Sequence, residues 1–266
     1  MIRLKVNSPV HAVRDEHATG CVVCGKELIY AETSSLQKCV FCGKEQDSSI
    51  QCPDGHFVCD DCHRGDALGL IEVAAINSRK TNPIELAREI MAMPSVHLHG
   101  PEHHVLVPVV LLAALRNLGA EVSDRRIQEA LLRAGQLPGG ICGMWGACGA
   151  AVGAGIGLSV LRRLTALKKE GWGETNQEVG EILQKVGAFS GPRCCKRSTY
   201  TALLAAMDIL ERDGVATFAQ EAHIPPVCQD FWRNQQCLKE ACAYHPRPKG
   251  KNSAVKAGGE VQEVPV

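Results

Sequence analysis

The sequence has no excess of either charge, since 29 Lys and Arg residues balance 29 Asp and Glu residues in a chain of 266. A balanced chain lacks the overall field that attracts nucleic acid or an anionic membrane, so neither partner is favoured. The amino terminus lacks the apolar core and small-residue cleavage site of a signal peptide. The longest apolar stretches, 105–115 and 147–161, fall short of the about 20 residues that a membrane-spanning helix needs. We therefore expect a soluble cytoplasmic protein with no membrane partner.

Cysteine, by contrast, is abundant, with 14 residues in the chain. A reducing cytoplasm keeps thiols from forming disulfides, so cysteines there are expected to bind metal or to react. They are clustered, and the clusters define the expected organisation of the chain. It comprises an N-terminal extension over 1–20, a zinc-binding cysteine module over 21–66, a helical cysteine-rich domain over 80–245 and a polar, disordered tail over 246–266.

The cysteine module contains four pairs of side chains that bind zinc. Two of the pairs belong to near-identical C-x-x-C-G-K knuckles, in which the glycine lets the chain turn so that backbone amides face the sulfurs. Eight ligands are enough for two tetrahedral zinc sites, with no open position for catalysis. The ligands are Cys21, Cys24, Cys39, Cys42, Cys52, His56, Cys59 and Cys62.

Two pairings of these ligands remain open. A sequential pairing places both knuckles on one ion as a zinc ribbon, and the eleven residues 52–62 must then surround the second ion alone. An interleaved pairing joins the first pair with the third and the second with the fourth, as in the RING-like and treble-clef cross-braces that this order resembles. We favour the interleaved pairing because one short segment does not easily surround a metal. The zinc folds a segment that has too few apolar residues for a core, and such modules commonly dock a protein partner.

From about residue 81 onward, the apolar residues recur with the period of a helix. Pro and Ser, Thr or Asn mark several helix starts, and Gly marks several ends. A capping box from Thr175 to Glu178 predicts the start of one helix. No convincing alternating strand separates the segments, so we predict an all-α domain in a mainly α protein. The six predicted helices fall in 81–93, 99–119, 123–135, 147–161, 175–187 and 197–214.

The helix predicted over 147–161 consists almost entirely of small residues. Its glycines at 149, 153 and 157 recur every four residues and therefore lie on one face. A face without side chains lets a neighbouring backbone approach closely. The glycines thus have a packing role, which does not account for the cysteines at 142 and 148.

Metal-ligating side chains recur at the starts of three predicted helices. The unpaired amides and the dipole of a helix start favour a thiolate and lower the pKa of a cysteine there. Basic residues at 193, 196 and 197 add to this effect, so we expect these thiols to be partly ionised at neutral pH. The side chains concerned are Cys142 and Cys148, Cys194 and Cys195, and the histidines His97, His99, His103 and His104.

Two interpretations of these residues remain open. Free cysteines are often small buried hydrophobes, and these could simply pack. Their recurrence at three helix starts favours a shared site instead. Four cysteines could bind a 4Fe–4S or 2Fe–2S cluster, and two cysteines with two histidines could bind zinc or a Rieske-like cluster. The candidate catalytic residues are Cys142, Cys148, Cys194, Cys195, His103 and His104, and the candidate cofactor-binding residues are His97, His99 and Arg193.

The segments HGPEHHVLVP, CGMWGACGAA and GPRCCKR together resemble an uncharacterised cysteine-rich domain, the DUF5714 type, of anaerobic bacteria and archaea. The likeness covers roughly 80–245. That domain is found alone or beside S-adenosylmethionine-dependent enzymes, so the resemblance implies a thiol-rich site in an anaerobe but names no substrate. About twenty residues around the glycine-rich helix also resemble small helical redox proteins named for a C-GCAxxG-C-C pattern.

The C-terminal segment has the spacing C-x8-C-x4-C-x2-H, formed by Cys228, Cys237, Cys242 and His245. The spacing is close to that of a CCCH zinc finger, but both later intervals are one residue short. Interleaved aromatic residues are common in fingers that bind RNA. We favour a structural metal, or a lid over the helical site, and do not expect nucleic-acid binding.

The leading hypothesis is therefore a metalloprotein, with zinc and an iron–sulfur cluster as candidate cofactors, that performs redox or sulfur- and methyl-group chemistry in its helical domain. It would act beside an S-adenosylmethionine-dependent enzyme. The alternative is a non-enzymatic zinc-finger adaptor, in which the N-terminal module recruits a protein partner and the other cysteines only pack.

Overall fold

The computed structural model describes residues 20–21, 24, 26–40, 43–93 and 95–247, without the side chains of 61, 62 and 64–66. The predicted disordered tail lies outside this part of the chain apart from residues 246 and 247, and so does the N-terminal extension apart from residue 20. Cys42 and the side chain of Cys62 also lie outside the described residues.

The N-terminal part is built on an antiparallel hairpin of β1 (Ile29–Lys38) and β2 (Glu45–Gln51). Ile29 pairs with Gln51 at one end and Lys38 with Glu45 at the other, where the second knuckle joins the strands. Most residues of both strands are exposed or half-buried, so the hairpin has little apolar core of its own. Its folding therefore depends on other interactions, as expected for a metal-bound module.

Helix α1 (Asp60–Asn77) connects the hairpin to the helical domain, and the sequence analysis did not predict it. The module boundary expected at residue 66 falls inside this helix. Its apolar stripe of Ala67, Ile71 and Ala75 is fully buried in the main core. The helix was missed because Gly69, an unfavourable residue inside a helix, lies within it, and because neither a side-chain cap at its start nor a basic residue in its last turn marks its ends.

The predicted helices are present in the main core, where α3 is the central element and is buried from residue 102 to 115. One predicted start was wrong. α7 begins before Thr175, whose hydroxyl instead accepts a hydrogen bond from Arg162 at 2.6 Å. The remaining helices are α2 (Pro83–Met91), α3 (Glu102–Asn117), α4 (Asp124–Ala134), α5 (Ile141–Met144), α6 (Gly149–Leu161), α7 (Trp172–Gly187) and α8 (Cys195–Arg212).

The glycine face of α6 packs against α3, as the sequence predicted. A Cβ at Gly149 would lie 2.3 Å from the imidazole of His104, and one at Gly153 would lie 2.3 Å from the His104 carbonyl oxygen. A Cβ at Gly157 would lie 3.4 Å from Pro108. The two backbones can therefore approach only where α6 has no side chains, and this contact fixes the start of α6 beside the histidines of α3.

Polar contacts join the hairpin to the helical domain. The Asp60 carboxylate accepts hydrogen bonds from Gln46 Nε2 at 2.9 Å and from the Gly139 backbone at 3.0 Å. Arg193 donates to the Tyr30 hydroxyl at 2.6 Å, and its guanidinium lies 4.8 Å from the centre of that ring. The hairpin is therefore held against the loops that precede α5 and α8.

The segment after α8 crosses the surface with two short 3₁₀ turns, Gln220–His223 and Lys239–Ala241. Phe218, Ala222 and Tyr244 anchor it in the main core. No helix among the described residues is both long enough and apolar enough to cross a membrane.

Candidate functional site

The N-terminal module contains a group of four ligand atoms suited to one metal ion. The ligand atoms of Cys21, Cys24, Cys52 and His56 all lie within 4.8 Å of one another. Cys24 Sγ lies 3.5 Å from Cys52 Sγ, and His56 Nδ1 lies 3.7 Å from Cys52 Sγ and 3.9 Å from Cys21 Sγ. Four ligands about 2.3 Å from a zinc ion would lie about 3.7 Å apart in a tetrahedron. The structure thus joins the first and third pairs, as the interleaved pairing requires.

The second knuckle packs against the segment that leads into α1. Cys39 and Cys59 belong to one small buried cluster with Phe57, and Val40 N donates to the Phe57 carbonyl oxygen at 2.9 Å. Each knuckle forms the same type of turn. The Cys21 amide donates to the Lys26 carbonyl oxygen at 2.8 Å, and the Cys39 amide donates to the Lys44 carbonyl oxygen at 2.9 Å. The structure therefore brings the described members of the second and fourth pairs together.

A second group of possible metal ligands, the histidine–carboxylate group, consists of His63, His97 and Glu102. His97 Nδ1 lies 3.4 Å from Glu102 Oε1, and His63 Nδ1 lies 3.9 Å from Glu102 Oε2. The two imidazole rings are 4.2 Å apart between centroids. Two histidines and one carboxylate form the protein ligands of many zinc and non-haem iron sites, in which further positions stay open.

The electrostatics of this group favour a bound cation. Glu102 is fully buried, and although burial opposes ionisation, its interactions with His97, His103 and His63 together outweigh this and lower its pKa to about 2. Burial lowers the pKa of His63, so its imidazole is neutral. Within the described chain, Glu102 Oε2 and the Nδ1 atoms of both histidines are buried without a hydrogen-bond partner. A buried carboxylate oxygen and two imidazole nitrogens that all lack hydrogen-bond partners are without the positive charge that a metal ion would supply.

Three helix starts converge on one cleft, which we call the cysteine cavity, with a volume of about 910 Å³. Its walls come from the starts of α3, α6 and α8, from α5 and from the exposed edge of the hairpin. Cys142, Cys148 and Cys195 are each partly exposed. The cysteine, histidine and arginine side chains in its lining are Cys142, Cys148, Cys195, His103, His104, Arg193 and Arg197.

A smaller cavity of about 170 Å³ shares Cys142, Arg193 and Cys195 with the cysteine cavity. It extends between the hairpin and the helical domain, and His63 and His99 line it. The histidine–carboxylate group therefore lies at the edge of the space that the thiols also reach.

Two histidines beside the cavities, His99 and His103, are neutral. Burial lowers the pKa of His103 to about 3 and that of His99 to about 4. His103 Nδ1 lies 3.2 Å from the Gly100 carbonyl oxygen, which can only accept, so Nδ1 carries the proton. Its Nε2 is then an acceptor, and it has no partner among the described residues. His99 Nδ1 accepts from the Cys195 amide at 3.4 Å.

The expectation of ionised thiols was wrong for the two cysteines at the start of α8. Burial raises the pKa of Cys194 and raises that of Cys195 to about 12, although Arg193 and backbone donors act in the opposite direction. Desolvation of the thiolate is the largest effect on both cysteines and outweighs these favourable interactions. Raised thiol pKa values are consistent with ligands that ionise only when a metal binds.

The structure also separates Cys194 from the other three cysteines of the predicted helical site. Cys194 lines a different space, the C-terminal cavity, together with Cys228, Cys237, Cys242 and His245. A single cluster bound by Cys142, Cys148, Cys194 and Cys195 is therefore inconsistent with the fold.

Two members of the histidine–carboxylate group, His63 and Glu102, were missed by sequence reasoning. Glu102 follows Pro101 at the start of α3, where an acidic residue is explained by the helix dipole alone. His63 directly follows the last cysteine of the module and belongs to the helix that was not predicted. The HGPEHH segment was the available clue, because an acidic residue among four histidines is an uncommon arrangement of ligands.

Comparisons with curated proteins and with solved structures returned no match. A model of one protein family, described as a family of unknown function (DUF5714), matches residues 71–245. The match covers most of the chain, including α2 to α8, the cysteine cavity thiols and the C-terminal cavity. The chain therefore belongs to the DUF5714 family.

Proposed function

We propose that this protein is a metalloprotein that carries out thiol-based redox or sulfur- and methyl-group chemistry in the cysteine cavity. One observation supports the proposal above the others. Two distant parts of the chain, the α5–α6 segment and the start of α8, bring Cys142, Cys148 and Cys195 to one cleft. There they lie beside His103 at the start of α3, a neutral histidine whose acceptor nitrogen has no partner among the described residues. Cysteines with only a packing role would be expected in the core and not together in the lining of one solvent-accessible cavity.

The cavity residues have complementary roles in this proposal. Cys142, Cys148 and Cys195 supply the sulfur atoms that react. His103 Nε2 accepts a hydrogen bond from a thiol or a substrate, because a pKa of about 3 keeps the imidazole neutral. Arg193 binds an anionic substrate group, since its guanidinium lines both cavities with one side held by Tyr30.

The histidine–carboxylate group would hold a divalent ion at the edge of the smaller cavity. When bound there, such an ion supplies a Lewis acid with open positions. The His97 backbone amide donates to Glu102 Oε1 at 3.0 Å, and His63 reaches the smaller cavity from α1. The module metal, with four protein ligands, has a structural role and fixes the hairpin as a wall of the site.

Redox titration of the thiols tests this proposal. Anaerobically purified protein is equilibrated in glutathione buffers of graded ratio, its free thiols are trapped with iodoacetamide, and the modified cysteines are located by mass spectrometry. We expect the fraction of at least one of Cys142, Cys148 and Cys195 that iodoacetamide modifies to change reversibly with the glutathione ratio. The ratio at the midpoint of this change should shift in C142A and C148A. S198A is the control, because Ser198 lines the same cavity without a thiol. The proposal would be overturned if iodoacetamide modified these cysteines slowly, to the same extent at every glutathione ratio, and equally in all variants.

A non-enzymatic adaptor is a second candidate, because the hairpin exposes apolar side chains. Leu36 is 62% exposed and Val40 47% exposed on the module. Removing the module would also disturb the cavity, so a surface change is the better test. L36E should abolish capture of a protein partner and leave the thiol titration unchanged if the adaptor role is correct. Unchanged capture by L36E would contradict it.

A further inference from the structure

We propose that Cys194, Cys228, Cys237 and Cys242 bind a 4Fe–4S cluster in the C-terminal cavity. The assignment does not depend on the chemistry proposed for the cysteine cavity. It differs from the predicted C-terminal site, in which the fourth ligand was His245, because the fold adds a cysteine from the start of α8.

The four cysteines reach the cavity from two distant parts of the chain. Cys194 is the residue before α8, and the other three lie on the segment that crosses it more than 30 residues later. A backbone hydrogen bond from Cys228 N to the Tyr244 carbonyl oxygen, at 2.7 Å, closes this segment into a loop. The loop places Cys228 and Cys242 opposite Cys194, and both Cys194 and Cys242 are buried.

The sulfurs receive hydrogen bonds of the kind that stabilise metal-bound thiolates. Lys239 N donates to Cys237 Sγ at 3.3 Å, and Asn234 Nδ2 donates to Cys194 Sγ at 3.6 Å. The backbone amide of Asp230 is also a hydrogen-bond donor to Cys228. Hydrogen bonds to the sulfurs help set the properties of iron–sulfur clusters.

The same local pattern occurs at the module metal group. There Asp54 N donates to Cys52 Sγ at 3.4 Å, from two residues further along the chain. Lys239 and Asp230 stand in the same relation to Cys237 and Cys228. The C-terminal cysteines therefore have the backbone arrangement that this protein uses for a cysteine ligand.

The spacing of the sulfurs favours a cluster over a single zinc ion. Ligands of one tetrahedral zinc would lie about 3.7 Å apart. Two groups among the described residues have all their ligand atoms within 4.8 Å of one another: the four module ligands around Cys52 and the histidine–carboxylate group. The four cysteines of the C-terminal cavity do not meet this distance limit. A 4Fe–4S cluster binds its cysteines at four separate iron atoms, so their sulfurs lie farther apart than the ligands of one ion.

The surroundings suit a cluster with net negative charge. Lys196 and Arg197 line the cavity and are both buried, and their positive charges would offset that of four thiolates. Tyr200 and Tyr244 pack with ring centroids 5.4 Å apart on another wall and exclude water. His245 also lines the cavity, but its ring packs edge-on against Phe231 at 5.0 Å.

Anaerobic preparation of the full-length protein tests the assignment. Iron, acid-labile sulfide and zinc are measured, and the dithionite-reduced protein is examined by electron paramagnetic resonance. We expect about four irons and four sulfides per chain, as the cluster type requires, with loss of both in C194S and C237S. C148S and H245Q should retain them, since Cys148 belongs to the cysteine cavity and His245 is not a ligand.

Three results would overturn the assignment: zinc without iron or sulfide, a cluster retained in C194S, or a cluster lost in H245Q. Far-ultraviolet circular dichroism of each variant shows whether the helical domain stays folded. Cys237 lies on the partly exposed loop, so C237S tests the ligand role even if C194S unfolds. The redox titration of the cysteine cavity is read separately by mass spectrometry, so failure of either proposal is distinguishable from failure of the other.

Discussion

Cys194 and Cys195 are consecutive residues whose side chains line two different cavities. The backbone of Cys194 is extended, with φ −140° and ψ 107°, whereas Cys195 is the first residue of α8. Side chains of an extended residue and of the helical residue after it point in different directions. The start of α8 thus contributes one sulfur to each cavity, and a cluster at Cys194 would lie one residue from a thiol of the cysteine cavity.

Replacing Gly153 with Ala should destabilise the protein by about 1–3 kcal/mol, the usual cost of an overpacked contact. The added Cβ would lie 2.3 Å from the His104 carbonyl oxygen and force α6 away from α3. Urea unfolding followed by circular dichroism measures the change. Gly180 is the matched control, because it lies in α7 with no atom within 4 Å of its added Cβ, and G180A should stabilise by about 0.5–1 kcal/mol. Equal stabilities of G153A and G180A would contradict the close packing.

Replacing Arg162 with Met should cost about 3–5 kcal/mol, because it leaves a buried carboxylate without its partner. Arg162 donates to Glu178, which is 4% exposed, at 2.7 Å and to Asp213 at 2.6 Å. Arg212 provides the comparison, since its pair with Glu181 at 2.8 Å is about half exposed on both sides. R212M should cost less than about 1 kcal/mol by the same urea assay. The prediction fails if the two variants lose similar stability.

Replacing His97 with Gln should remove one metal ion per chain and leave the module ion bound. The change removes one nitrogen of the histidine–carboxylate group but no cysteine ligand. In cobalt-substituted protein, the sulfur-to-metal charge-transfer absorption should therefore persist while total cobalt falls. H223Q is the control, because His223 contacts Glu211 at 3.2 Å on the surface and belongs to neither group. Unchanged cobalt content in H97Q would show that this group does not bind metal.

Replacing Asp60 with Ala should loosen the hairpin from the helical domain at a cost of about 1–3 kcal/mol, since two donors lose their acceptor. These donors are Gln46 Nε2 and the Gly139 amide. Hydrogen exchange of residues 138–146 should accelerate, and iodoacetamide should reach Cys142 faster. E72A is the control, because Glu72 lies on the same helix as Asp60 and accepts only an exposed hydrogen bond, from Gln128 of α4. Equal exchange rates in both variants would mean that Asp60 does not hold the two parts together.

The sequence predicted most reliably the features that depend only on residues close together in the chain. The cysteine knuckles repeat a short motif, the glycines of α6 recur on one face, and Asn82 caps α2 with bonds to the Ile84 and Glu85 amides. Each of these features is specified by residues within a few positions of one another. The period of apolar residues likewise predicted α2, α4 and α8, because a helix with one face in the core and one in solvent needs that period to form its apolar face.

The sequence alone determined that this protein has a mainly helical domain, a cysteine module with interleaved ligand pairs as the favoured pairing, and ligand-rich helix starts. Only the tertiary structure decided which ligands meet. His63 joins His97 and Glu102 because α1 packs along α3, and Cys194 joins the C-terminal cysteines because the last segment crosses the start of α8. The physical reason is that a site assembled from distant segments depends on how helices pack, and the spacing of residues along a chain does not contain the direction in which each side chain finally points.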